Sequence, residues 1–193
     1  MTSNPSISES YQGKFLLATP NMGDPRFQFA VIYIVNHDAR GAMGITINKE
    51  KDGLFTSDLL SQFGIKGHVQ VADMPVLNGG PVDIDRGFVL HSTDYFLPEA
   101  SLKISDTLSL TTTKDVLEAL VSKENAPKRA MLAIGYAGWG AHQLEQEIMN
   151  NAWLVLEADE DLIFSEKLDQ KWSLALTEMG IDPSSLSHCG GQA

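Results

Sequence analysis

Two runs rich in β-branched and aromatic residues, "QFAVIYIV" over residues 28–35 and "AMGITIN" over residues 42–48, stand on either side of the polar stretch "NHDARG". Such side chains suit a pleated, packed surface, and the Asp and Gly between the runs suit a tight reversal. The pattern predicts a β-hairpin from Gln28 to Asn48, lying centrally in a sheet. Further strands are predicted at "KFLLA", on both sides of "GGP" in "VLNGGPVDIDRGFVLHS", at "SLKI" and "LSLTT", and at "RAMLAIGYA" and "AWLVLEA".

Helical spacing enters at three places. "LFTSDLLSQFG" sets Phe55, Leu59, Leu60 and Phe63 on one face, with Gly64 as its stop. "TTKDVLEALVS", Thr112 to Ser122, opens with a Thr112–Asp115 capping box and lines up Val116, Leu117, Leu120 and Val121. "LDQKWSLALTEMG" turns Leu168, Trp172, Ala175, Leu176 and Met179 inward, then stops at Gly180. Strands outnumber helices and are joined mostly by short turns. The expected fold is a single α+β domain over residues 13–193, its sheet mixed or mostly antiparallel. The helices near Thr113 to Ser122 and Asp169 to Met179 lie outside, and residues 1–12 form a loosely attached tail.

Composition narrows the class. The 193 residues are 43% hydrophobic and 20% charged, ordinary for a globular protein, and no apolar run approaches the ~20 residues that cross a bilayer. The first residues lack a secretory signal pattern, and the one cysteine, Cys189, permits no internal disulfide; a cytoplasmic setting is expected. The neighbouring His188 does not make it a catalytic dyad, and a small buried thiol is the expectation for Cys189. Formal net charge is −11, and only Lys128 and Arg129 are adjacent basic residues. With no basic stripe to displace counterions, direct DNA binding is not expected.

The stretch "GYAGWGAHQLEQEI" draws attention with Gly135, Gly138 and Gly140 before a helix-like run. Their spacing misses the dinucleotide fingerprint, and no Lys-Ser/Thr pair follows to make a P-loop. What remains is a corner between a strand and a helix starting near Gly140 or Ala141, or else a loop that binds a ligand. In a strained corner, Gly138→Val should cost roughly 1–3 kcal/mol. Trp139 between two glycines is read as a core anchor before a lid. The candidate ligand-binding set is Asn78, Gly79, Gly80, Gly135, Gly138, Trp139, Gly140, Gln143 and Glu145. The five histidines have no metal-ligand spacing, no cofactor motif occurs and no serine-nucleophile elbow is present, so neither metal nor cofactor is expected. Glu145 and Glu147 should diverge on a helix.

In order along the chain, "GKFLLATPNMGDPRF", "GAMGITIN", "NGGPV", "RGFVLH", "GYAGWGAHQLEQEI", "NAWL", "DLIF" and "GGQA" resemble the AlgH/YqgE family of bacterial proteins, from about Gly13 to Ala193. One departure is His142, where the family pattern usually has glycine. The resemblance implies a compact cytoplasmic α+β domain with a coiled or barrel-like sheet flanked by helices, and no established reaction. A non-enzymatic binding or regulatory protein, acting through a small ligand or a protein partner, is the preferred reading. An enzyme assembled from His37, His91, Asn78 and Glu145 is the alternative. A transcriptional regulator is the third reading, carried by the family name alone.

Overall fold

A computed structural model describes residues 10–70 and 73–187. The expected hairpin is formed by β2 (Val31–Asp38) and β3 (Gly41–Thr46), paired antiparallel around a two-residue turn at Ala39 and Arg40. With β1 (Lys14–Ala18), β5 (Pro75–Asn78), β6 (Val82–Ser92), β7 (Ser101–Lys103), β8 (Leu108–Thr111), β9 (Ala130–Gly140) and β10 (Trp153–Glu157), it builds one curled sheet in the order β10-β1-β2-β3-β9-β6-β8-β7. The polar strand β4 (Glu50–Phe55) pairs with β5, which joins β9 in parallel; the other pairings are antiparallel among the described residues. The fold is α+β and the hairpin is central, as the sequence predicts.

Both faces of the hairpin end are packed, which is why its sequence is continuously apolar instead of alternating. Phe15, Leu17, Val31, Tyr33 and Val35 face one core together with α5 (Lys171–Glu178), while Leu16, Ile32 and Ile34 face a second containing Trp139 and Trp153. A third cluster joins Leu59 and Leu60 of α1 (Thr56–Gln62) to Val116 and Leu120 of α2 (Lys114–Ala119) over Val89 and Leu132. Gly64 and Gly180 end α1 and α5 at φ +71° and +72°, the left-handed conformation that glycine adopts without strain. The remaining helices are α3 (Gln143–Met149), α4 (Glu160–Ile163) and α6 (Pro183–Ser187). The sequence reading passes over β4, α4 and α6, because β4 carries little apolar alternation and the two helices are at most five residues long.

Three local expectations are corrected. Thr112 does not cap α2: its hydroxyl accepts from Arg86 Nη2 at 3.2 Å, and Thr113 takes the N-cap position without making a side-chain cap bond. The helix accordingly covers less than the predicted Thr112 to Ser122. The stretch from Gly135 to Gly140 is neither loop nor corner, since β9 runs through it and pairs Gly138 with Met43 and Trp139 with Ala42. The turn falls later, and α3 starts at Gln143 instead of Gly140 or Ala141. Of the predicted tail, residues 1–9 lie outside the described part, whereas the Tyr11 N–H donates to His37 Nδ1 and the Gln12 amide to the Ile104 carbonyl. His188 and Cys189 also lie outside the described residues.

Candidate functional site

The glycines of "NGGP" and "GYAG" meet backbone on backbone. Ile134 of β9 pairs with Asn78 of β5 and with Gly87 of β6, so those two strands run along its opposite edges. Between Asn78 and Val82, which pairs with Tyr136, the chain must therefore pass over β9. A Cβ on Gly79 would overlap the Gly135 carbonyl, and one on Gly80 would overlap the backbone of Tyr136 and Ala137. Gly135, at φ +75°, would collide in return with the Gly80 carbonyl. The two glycine-rich motifs are thus one feature, a crossing that admits no side chains. The three glycines and Asn78 sit at this crossing, with Gly79, Gly80 and Gly135 buried.

Beyond it, the last residues of β9 border a groove of about 540 Å³. Its walls come from the 3-10 turn Pro25–Phe27, Pro81 and Val82 after the crossing, Gly138 and Trp139 of β9, Gln143 and Glu147 of α3, and Trp153. The rings form a chain of edge-to-face contacts, Phe27 to Trp153 at 5.7 Å and Trp153 to Trp139 at 6.0 Å between centroids. Trp139 is 7% exposed, so it is anchored in the second core while forming part of the groove wall. Gly138 leaves the wall bare of a side chain.

Glu147 organises this end. One carboxylate oxygen accepts both indole N–H groups, from Trp139 at 2.9 Å and Trp153 at 2.8 Å, and the other accepts the Gln143 amide at 2.9 Å. Gln143 in turn accepts the Gly140 N–H at 3.0 Å. No Lys or Arg pairs with Glu147 among the described residues. At the rim the Arg26 guanidinium chelates Asp24, which holds the Asp24 carboxyl below the usual carboxylate range. Glu147→Ala leaves two largely buried indole donors without an acceptor, so a loss of about 2–4 kcal/mol in urea unfolding is expected. Glu147→Gln, which keeps an acceptor oxygen, should recover more than half of that.

The two glutamates diverge as expected. Glu145 turns away from the groove and accepts from His37 Nε2 at 3.0 Å. Because His37 Nδ1 accepts the Tyr11 N–H at 3.1 Å, the ring proton resides on Nε2, and the pair ties α3 to β2. His37 itself is in β2 and buried, not in the turn. His91 pairs with Ala130 at the far end of β9, roughly 30 Å from Trp139 along the strand at ~3.3 Å per residue. It is fully buried, with Nδ1–H donating to the Ser92 carbonyl and Nε2 accepting from Thr111 at 2.8 Å; burial pushes its pKa down. Of the four alternative catalytic residues, only His37 and Glu145 come together. No cluster of three or more metal-ligating side chains exists among the described residues. His142 adopts φ +61° ahead of α3, so the position does favour glycine, and histidine holds it at a cost of about 1 kcal/mol.

From the candidate set, Gly138, Trp139 and Gln143 border the groove; Asn78, Gly79, Gly80 and Gly135 serve the crossing; Gly140 is held by Gln143; Glu145 serves the latch to His37. Glu147, Trp153, Phe27 and Arg26 also border the groove and are not among the residues the sequence singles out. The i,i+4 spacing of Gln143 and Glu147 was the available signal, since it places both on one helix face.

Comparison with known proteins adds the family. A sequence profile described as AlgH-like matches residues 15–184, so the chain belongs to the AlgH-like family. A UPF0301 protein of Bradyrhizobium sp. is 50% identical over 94% of this chain and 87% of its own length. Another, from Caulobacter vibrioides, is 42% identical over 94% of this chain and 93% of its own. The solution structure of the AlgH protein from Pseudomonas aeruginosa superposes with a TM-score of 0.75 at 35% identity, covering 100% of both chains. A crystal structure from Corynebacterium diphtheriae shares the fold at a TM-score of 0.68 and 19% identity, over 92% of this chain and 90% of that one.

Proposed function

We propose that this AlgH-like chain is a non-enzymatic binding protein of the bacterial cytoplasm, whose groove beside Trp139 takes a small ligand carrying an organic cation. The observation that carries the reading is Glu147, a carboxylate among aromatic rings whose partners are all neutral N–H donors. A cation that enters gains Coulomb attraction to Glu147 and to the faces of Phe27 and the indoles, worth about 0.5–2 kcal/mol for a ring contact. The −11 net charge works in the same direction. Support against the enzyme alternative is the distance of His91 from His37 and Glu145. No helix of the described residues is long and apolar enough to cross a membrane.

The test uses choline and its uncharged carbon analogue as probes, followed through the indole N–H resonances of Trp139 and Trp153. Choline should shift both signals saturably, and the neutral analogue should bind at least about fivefold more weakly, the equivalent of ~1 kcal/mol. Gly138→Val should abolish the response while changing stability by less than about 1 kcal/mol. Its backbone is paired strand, and a Cβ there meets first the Tyr136 ring at 3.2 Å, a side chain able to yield. Equal responses to the two probes, or none to either, defeat the proposal.

A further inference from the structure

A second groove, independent of the first, lies between α1 and α2 over β6 and β9, with a volume of about 450 Å³. Leu59, Phe63, Ile84, Val116, Leu117 and Ile134 wall it. Phe63 and Ile84 are 57% and 59% exposed, an unusual outlay of apolar surface at one opening. The polar groups are few. Lys51 and Lys114 border the groove, and Lys51 has no carboxylate partner among the described residues. Lys114 is held loosely, 3.3 Å from Glu118, with both side chains largely exposed. Asp85 is the single acidic residue of the lining among the described residues.

Three threonines complete the polar lining. Thr111 bonds His91 and Ser101, and Thr112 accepts from Arg86, which leaves Thr113. It occupies the N-cap position of α2, where a threonine hydroxyl ordinarily accepts a backbone N–H, yet it makes no cap bond. Its Oγ1 is buried and without a hydrogen-bond partner among the described residues, and the residue lines the groove. A buried hydroxyl left unpaired is costly, and an acceptor brought by a ligand would satisfy it. An apolar trough of this volume, with two ammonium groups and a hydroxyl donor on its border, is complementary to one kind of guest. We infer that the groove binds an anionic amphiphile, an apolar chain or ring ending in a carboxylate-like head. The apolar body lies along Leu59, Val116, Leu117 and Ile134, and the head meets Lys51, Lys114 and the Thr113 hydroxyl.

The full-length protein is titrated with decanoate, decanol and decyltrimethylammonium, each below its aggregation concentration. Decanoate should bind saturably and at least about tenfold more tightly than decyltrimethylammonium, with decanol between them. Each methylene removed from the decanoate chain should weaken binding by roughly threefold to fourfold. Lys51→Gln should weaken decanoate about fivefold and leave decanol unchanged. Gly87→Val provides the blocking control. Gly87 lines the groove, and a Cβ there meets only Leu132 Cδ1 at 3.7 Å, so the variant should fold while losing decanoate and decanol together. Tighter binding of the cationic probe, or decanoate binding untouched by both variants, overturns the inference. So does the absence of saturable decanoate binding with a change of oligomeric state in Gly87→Val, which would assign the groove to a second copy of the chain.

Discussion

Raising the pH from 7 to 9.5 should stabilise this fold by on the order of 3 kcal/mol more in the parent protein than in Lys171→Met, using ~1.4 kcal/mol per pK unit. Lys171 is fully buried at the start of α5, its ammonium donating to the carbonyls of Ile47 at 2.9 Å and Ile163 at 2.7 Å. Neither acceptor is a carboxylate, so burial acts unopposed and pushes the Lys171 pKa down from 10.5 to about 7. In the unfolded chain the same lysine keeps its proton up to about pH 10. Between the two values the unfolded state binds more protons, and stability must rise with pH. Below about 7 both states carry the charge, and the full desolvation cost is present. The rise should be read before the window is confused by Tyr33, whose burial lifts its pKa to about 12. That phenol keeps its proton in the fold after the unfolded chain has lost it, so its contribution is lost above about pH 10, in the opposite sense. Urea unfolding at intervals from pH 7 to 9.5 measures both slopes. A parent and a variant with the same slope would show that Lys171 does not carry its charge change inside this window.

Lys171 also shows what pattern reading can and cannot recover. The spacing of Leu168, Trp172, Ala175 and Leu176 was enough to predict the helix and its inner face, because packing periodicity is local. That the lysine beside Trp172 is buried as well depends on two carbonyls, one of them 124 residues away. The same limit governs the site. The His37 to Glu145 contact spans 108 residues, and no spacing rule reaches that far. The hairpin was readable from its β-branched runs and turn, whereas the α2 cap was misplaced by one residue because Arg86 engages Thr112 from another strand. Trp139 is legible as an anchor and as part of a candidate site, whereas the far wall of the groove is not, since Phe27 and Trp153 approach from other elements.

Gly80→Ala should cost more than about 4 kcal/mol, or prevent folding altogether, while Gly138→Val, two residues beyond Tyr136, costs little. Sequence alone assigns a cost to Gly138→Val only, because the glycines around Trp139 look like a strained corner. The crossing moves the cost to Gly80. Gly80 has φ +151°, a conformation L side chains rarely adopt, and its Cβ would lie well under 3.0 Å from three backbone atoms of Tyr136 and Ala137. No side chain can swing aside to relieve that overlap. The two chains must separate, and separation breaks the Gly79 N–H bond to Ile134, the Thr46 N–H bond to Gly79 and the pairing of Val82 with Tyr136. Several buried backbone groups left unpaired, at about 1–3 kcal/mol each, consume much of the 5–15 kcal/mol that holds a domain together. Gly23→Ala supplies the matched control, since a Cβ there meets nothing within 4 Å and its backbone has no left-handed φ. Urea unfolding should therefore rank Gly23→Ala and Gly138→Val near the parent, with Gly80→Ala far below. A Gly80→Ala protein that unfolds within 1 kcal/mol of the parent would mean that the chains at the crossing stand further apart than described. The glycines of "NGGP" and "GYAG" would then need another explanation, and a ligand approaching their backbone would become the leading one.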